Sequence, residues 1–272
     1  MSQTTIRTSA AEPAGGRSPD SPALRQLLLF SAVALPIGWA IMSVPVALQL
    51  PTEPFTLAAL LFALLIPALL LTARESGRSG VKRLLRDAVR LPRPSWWGLV
   101  AMTAIPVSAW SIAAAVGGAE VLTPAVLTGY AVAFLSSTVI INILEETVWT
   151  GFVQRRSMAR FGILRGSVLT AALFAGIHLP LAFSGAASPA NVATGIGILL
   201  ASALGLRLMV AGIDSWSGRS LLTIGVLHGS FNASSGLVEP AYDWARYVTV
   251  LALGFAVAVA IALQARRRSA RR

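Results

Sequence analysis

Five polar side chains draw attention because they sit where such groups are costly. Glu145, Glu146, His178, His228 and Asn232 fall inside stretches that are otherwise almost wholly apolar. The two histidines are the only ones in the chain. An ionisable group inside a membrane span costs roughly 2.5–3.5 kcal/mol on insertion scales, so it marks function by default. A buried glutamate can serve as general base toward water, and a nearby histidine can share that water or protonate a leaving amine. A His–Asn pair can stabilise the charge of a tetrahedral oxyanion, which in a dry site is often the largest catalytic effect. The chemistry this set suits is hydrolysis.

Spacing refines the picture. His228 and Asn232 are four residues apart and share one helix face, as do Phe174 and His178, so the phenyl ring can wall a cavity beside the imidazole. Glu145 and Glu146 point about 100° apart on a helix, so one faces the reacting atom and the other supports it. Asn142 lies close to the set in register. Ser230 sits between His228 and Asn232, but no G-x-S-x-G elbow is present, and a small residue there serves close helix packing. Measured along helices from the nearest arginines, Glu145 lies about 15 Å in, His178 about 20 Å, and His228 and Asn232 about 14 and 20 Å. Three separate helices thus carry polar groups to one depth. A shared polar cavity open toward the arginine-rich side would explain the agreement.

The elements that must position these residues follow from composition. Of 272 residues, 55% are hydrophobic and only 12% charged, and the mean hydropathy is +0.72. That excludes a disordered chain and an ordinary soluble enzyme, and implies an all-α polytopic membrane protein. The absence of cysteine excludes disulfides, a cysteine nucleophile and Cys-ligated metal sites. Eight apolar segments are expected, at roughly 24–49, 55–73, 96–117, 122–149, 166–183, 190–212, 219–236 and 244–264; the fifth and seventh are short. With both termini cytoplasmic, this places 21 of the 22 Lys and Arg residues on the inner face and only Arg246 outside. The net charge of +11 is then a matter of topology and anionic-lipid contact, and needs no nucleic-acid partner. Residues 78–91 read either as a helix on the inner surface or as a solvated loop. Residues 1–23 read as a disordered tail, 24–265 as the transmembrane domain and 266–272 as a basic tail. Trp96, Trp97, Trp216 and Trp244 are expected as interface anchors, and Gly176, Gly195, Gly197 and Gly205 as close-packing sites.

Three motifs in order carry a resemblance. The run Glu145-Glu146-Thr147-Val148-Trp149-Thr150-Gly151 resembles the E-E-x-x-x-R motif of the CPBP (Abi) family of intramembrane proteases. Phe174 to His178 resembles its F-x-x-x-H motif, and His228 to Asn232 its H-x-x-x-N motif. The resemblance covers roughly residues 120–240. It implies an eight-helix bundle with a cavity open to the cytoplasmic side and to lipid, and cleavage of a membrane-anchored protein or peptide, as in CAAX prenyl endopeptidases. By the same resemblance, Glu145 and His178 hold and activate the water, His228 and Asn232 form the oxyanion site, and Glu146 supports them. The set suits a water activated without a metal cofactor, although Glu and two His are also donor types that ligate zinc. Thr150 stands where the motif has arginine, which leaves Glu146 without a charge partner along its own helix; Arg155 is too distant on a continuous helix. A catalytically silent immunity or regulatory protein is therefore the second reading, and a proton-coupled transporter the third.

Overall fold

The computed structural model describes residues 22–270. The expected tail therefore lies almost entirely outside the described residues, as do Arg271 and Arg272. The described chain is an all-α bundle of eight helical segments. They are α1 (Pro22–Leu48), α2 (Glu53–Ala88), α3 (Trp96–Ala115), α4 (Pro124–Phe161), α5 (Ile163–Phe183), α6 (Pro189–Trp216), α7 (Leu221–Ala233) and α8 (Pro240–Ser269). All but α7 are long and apolar enough to cross a membrane. Large apolar side chains such as Leu28, Phe62, Leu70, Val132 and Val139 stand on the outside, as lipid contact requires.

Eight full spans are not what forms. The α-helical part of α7 has 13 residues, about 20 Å, and continues as a 3-10 turn, Ser234–Leu237. Its interior position permits this: Leu221, Ile224, Leu227 and Ser230 are all fully buried, so neighbouring helices rather than lipid surround it. The chain still reaches the far side, because Val238 pairs with Ala119 in the connection between α3 and α4. Residues 78–88 are helical and turn off the first part of α2 at Gly77, whose φ of +62° belongs to the left-handed region.

Two large apolar cores, with a small third one at Ala113, Val238 and Ala245, hold the bundle. One joins α1, α2, α4 and α5 through Leu27, Phe30, Leu64, Trp149, Phe152 and Ala175. The other joins α3, α6, α7 and α8 through Ile105, Leu206, Ile213, Leu227 and Val250. Between them runs a seam of buried polar groups, with Thr150, Gln154, Ser167, Thr170 and Arg207 all at 0% exposure. Gln154 crosses it by donating to the Arg207 carbonyl at 2.8 Å.

Of the expected packing glycines, Gly205 behaves as such. A Cβ there would lie 2.6 Å from the Val250 carbonyl oxygen, with Gly254 facing it on α8. At Gly197 nothing lies within 4 Å, so that expectation fails: its face of α6 is open. Gly205→Leu should force α6 from α8 and cost roughly 1–3 kcal/mol or more, read as a lower thermal midpoint in detergent. Gly197→Leu should leave that midpoint unchanged. Trp97 stacks between Trp96 and Trp216, with centroid separations of 4.2 and 5.6 Å, at the arginine-rich end.

Candidate active site

Helix α4 presents the two glutamates from a single α-helical turn, Ile143–Glu146, between two wider π-helical stretches, Ser137–Asn142 and Thr147–Gln154. Such turns are rare and recur at functional positions, since they rotate side chains away from ordinary helical register. Glu145 and Glu146 face different partners, yet both reach one imidazole. His228 Nδ1 lies 2.8 Å from Glu146 Oε1 and 3.7 Å from Glu145 Oε2. His178 Nε2 lies 3.6 Å from Glu145 Oε1. Its Nδ1 is 2.7 Å from the Phe174 carbonyl, so Nδ1–H donates there and the Nε2 lone pair is turned to Glu145. The Phe174 ring packs against both imidazoles, at centroid distances of 4.7 and 5.7 Å, as the spacing suggested.

Glu145 and His178 border a hollow of about 60 Å3, room for a few waters. Half-buried Thr56, Ile141, His178 and Leu181 stand around it, with Met42, Leu60 and Ile177 behind. These residues lie toward the end of the bundle away from the arginine-rich connections. A cavity open toward the basic end was expected, and the structure differs. On that side of Glu145 the interior is filled by Val148, Trp149, Phe152 and Val153, each 0–1% exposed.

Asn232 is exposed, and its side chain is hydrogen-bonded to Asn142. Its Nδ2 donates to Asn142 Oδ1 at 3.1 Å, which occupies one of its two N–H groups and fixes the amide plane. Asn142 is fully buried. Ser230 is fully buried and its Oγ lies 2.9 and 2.8 Å from the carbonyls of Ala101 and Leu227, a packing role rather than a nucleophile's.

The group that the sequence reading missed is Arg207. It was counted with the basic connection after the sixth segment, but α6 runs on to Trp216 and buries it completely. Arg207 forks onto Glu146, Nη1 to Oε2 at 2.9 Å and Nη2 to Oε1 at 2.5 Å, with its guanidinium 4.6 Å from the Phe174 ring centroid. Thr150 Oγ1 donates to Glu146 Oε2 at 2.5 Å and lies 3.3 Å from Arg207 Nη1. Glu146 therefore does have a cationic partner: it arrives from α6 instead of from position 150. The signal was in the sequence, an arginine inside a predicted span facing a motif that lacked one. The number of ionisable residues deep in the bundle rises from four to five, and the basic residues assigned to the inner face fall from 21 to 20.

Among the described residues no cluster of three or more His, Asp or Glu is arranged to hold a metal ion. Glu145 and His178 Nε2 could supply two donors, but His228 Nδ1 is engaged by Glu146. The donor set therefore fits a bound water better than zinc.

Residues 127–234, which contain all five candidate residues and Arg207, match the family described as Rce1-like, type II CAAX prenyl endopeptidase Rce1-like. This part of the chain is similar to CAAX proteases, as the three motifs suggested, and the seven long apolar helices make the chain a multi-pass membrane protein. No curated protein matches the chain.

Proposed function

We propose that the protein is an intramembrane endopeptidase that hydrolyses a peptide bond of a membrane-anchored protein or peptide with water activated by Glu145. The observation that carries this reading is the meeting of Glu145, His178 and His228 from α4, α5 and α7 within 3.7 Å. A water about 2.8 Å from both Glu145 Oε1 and His178 Nε2 fits the 3.6 Å gap between them. Glu145 takes the proton of that water as its oxygen attacks the carbonyl carbon. The carbonyl π electrons move to oxygen, where an N–H at His228 Nε2, opposite the Nδ1 held by Glu146, and the second N–H of Asn232 would receive the charge. The tetrahedral species collapses with cleavage of the C–N bond, and the proton held by Glu145 or His178 passes to the leaving amine. Glu146, pinned by Arg207 and Thr150, orients His228 by accepting from Nδ1. No metal takes part. The apolar groove of about 360 Å3 beside His178, lined by Trp39, Val46, Leu179, Pro180 and Phe183, would take the apolar part of the substrate. The basic end faces the cytoplasm of the cell in which the protein spans the cell membrane.

The test is cleavage of a library of membrane-anchored peptides by the reconstituted full chain. Products should appear with the wild type, persist in the presence of chelator, and disappear with His178→Ala. Unchanged cleavage by that variant would sink the assignment. Asn232→Ala should lower kcat by about 10²–10³ with little change in KM. Thr150, the observation behind the silent-protein reading, loses force once Arg207 is seen beside Glu146.

A further inference from the structure

A cavity outside the candidate active site lies at the basic end and is independent of the proteolytic reading. It measures about 470 Å3, within the usual range for small-molecule sites, and is framed by the 72–90 part of α2, the last turns of α4 and the connection after α6. Six arginines line it, Arg83, Arg86, Arg90, Arg155, Arg156 and Arg219, against a single carboxylate, Asp87.

Those arginines divide into two kinds. Three are held by the protein. Arg155 clamps Asp214 at 2.7 and 3.0 Å and Asp87 at 2.9 Å, Arg156 pairs with Glu75 at 2.5 Å, and Arg90 with Asp87 at 2.8 Å. Among the described residues Arg83, Arg86 and Arg219 have no carboxylate partner. The cavity thus has a neutralised, rigid floor and an unmatched cationic rim. A second observation concerns the lining itself. Thr72 is one of the lining residues, is 5% exposed, and its Oγ1 has no hydrogen-bond partner among the described residues. A buried hydroxyl without a partner is a donor awaiting an acceptor.

The required ligand chemistry is multiply negative and rich in acceptor oxygens, which guanidinium forks match best in phosphate. The location selects its source. Leu85, Val89 and Leu91, 42–71% exposed, flank the arginines on the same segment and offer an apolar surface next to the cationic rim. A molecule that brings a phosphate and acyl chains together satisfies both. We propose that this cavity binds the phosphate of an anionic phospholipid headgroup, with its acyl chains along the exposed apolar face of residues 85–91.

The experiment places the full chain in phosphatidylcholine bilayers with and without phosphatidylglycerol and reads co-retained phosphatidylglycerol by native mass spectrometry. Arg83→Gln/Arg86→Gln/Arg219→Gln, three groups outside every ion pair among the described residues, should weaken retention on the order of a hundredfold. The control Arg266→Gln/Arg267→Gln/Arg268→Gln, at the exposed end of α8, should leave retention unchanged. Equal losses in both triple variants, or wild-type retention by the first, would overturn the site. A parallel arm titrates inorganic phosphate in detergent and follows thermal unfolding. Stabilisation by free phosphate without phosphatidylglycerol retention would support the phosphate cradle and overturn its lipid source. No response to either probe overturns both.

Discussion

Glu145→Gln is expected to lower kcat for peptide cleavage by on the order of 10³, because the amide keeps the shape of the side chain but cannot accept the proton of the attacking water. The fold should survive. Glu145 is not part of the Arg207 fork, and its nearest charged or titratable neighbours are imidazoles at 3.6 and 3.7 Å, so the substitution strands no guanidinium. Thermal unfolding should therefore match the wild type while turnover vanishes. The neighbouring residue provides the contrast. Glu146→Gln removes the carboxylate on which Arg207, Thr150 and His228 all converge, and should lower stability and turnover together. Equal effects of the two substitutions on stability would contradict the division of labour between the glutamates.

Arg207→Met should be the most destabilising single change in the bundle. It leaves a carboxylate at 0% exposure with only a hydroxyl and an imidazole for company, and breaking a buried pair from one side costs roughly 3–5 kcal/mol. The diagnostic is rescue. Adding Glu146→Gln to Arg207→Met removes the stranded charge and should restore most of the lost stability without restoring turnover. Adding Thr150→Arg instead places a guanidinium four residues along α4 from Glu146, in the space that Arg207 vacates, and should recover part of both. Thr150 already touches both Glu146 and Arg207, so position 150 lies within reach of the same carboxylate. An Arg207→Met protein as stable as the wild type would show that the fork contributes nothing.

Much of this arrangement is written in the chain. Hydropathy alone places all eight helices, and the rule that lone ionisable groups in apolar runs are functional selects Glu145, Glu146, His178 and His228. Motif spacing then pairs Phe174 with His178. What escaped has particular causes. Arg207 was lost because, although it lies inside the sixth apolar segment, it was counted with the basic connection that follows, when a carboxylate on another helix was present to receive it. The short α7 was read as a span because apolar composition does not distinguish a helix enclosed by protein from one enclosed by lipid. Asn232 was assigned to His228 by helical spacing, but its partner, Asn142, is 90 residues away in sequence. The direction of the hollow depends on where Trp149 and Phe152 pack, which no periodicity reports.

That packing has a consequence for selectivity. With bulky side chains filling the interior between the glutamates and the arginine-rich end, an aqueous loop on that side meets a wall, however well its residues would suit the catalytic groups. Under the hydrolytic reading, the first discrimination is then by route: a chain must come to the catalytic groups through the hydrocarbon phase or from the opposite end of the bundle before its sequence can matter.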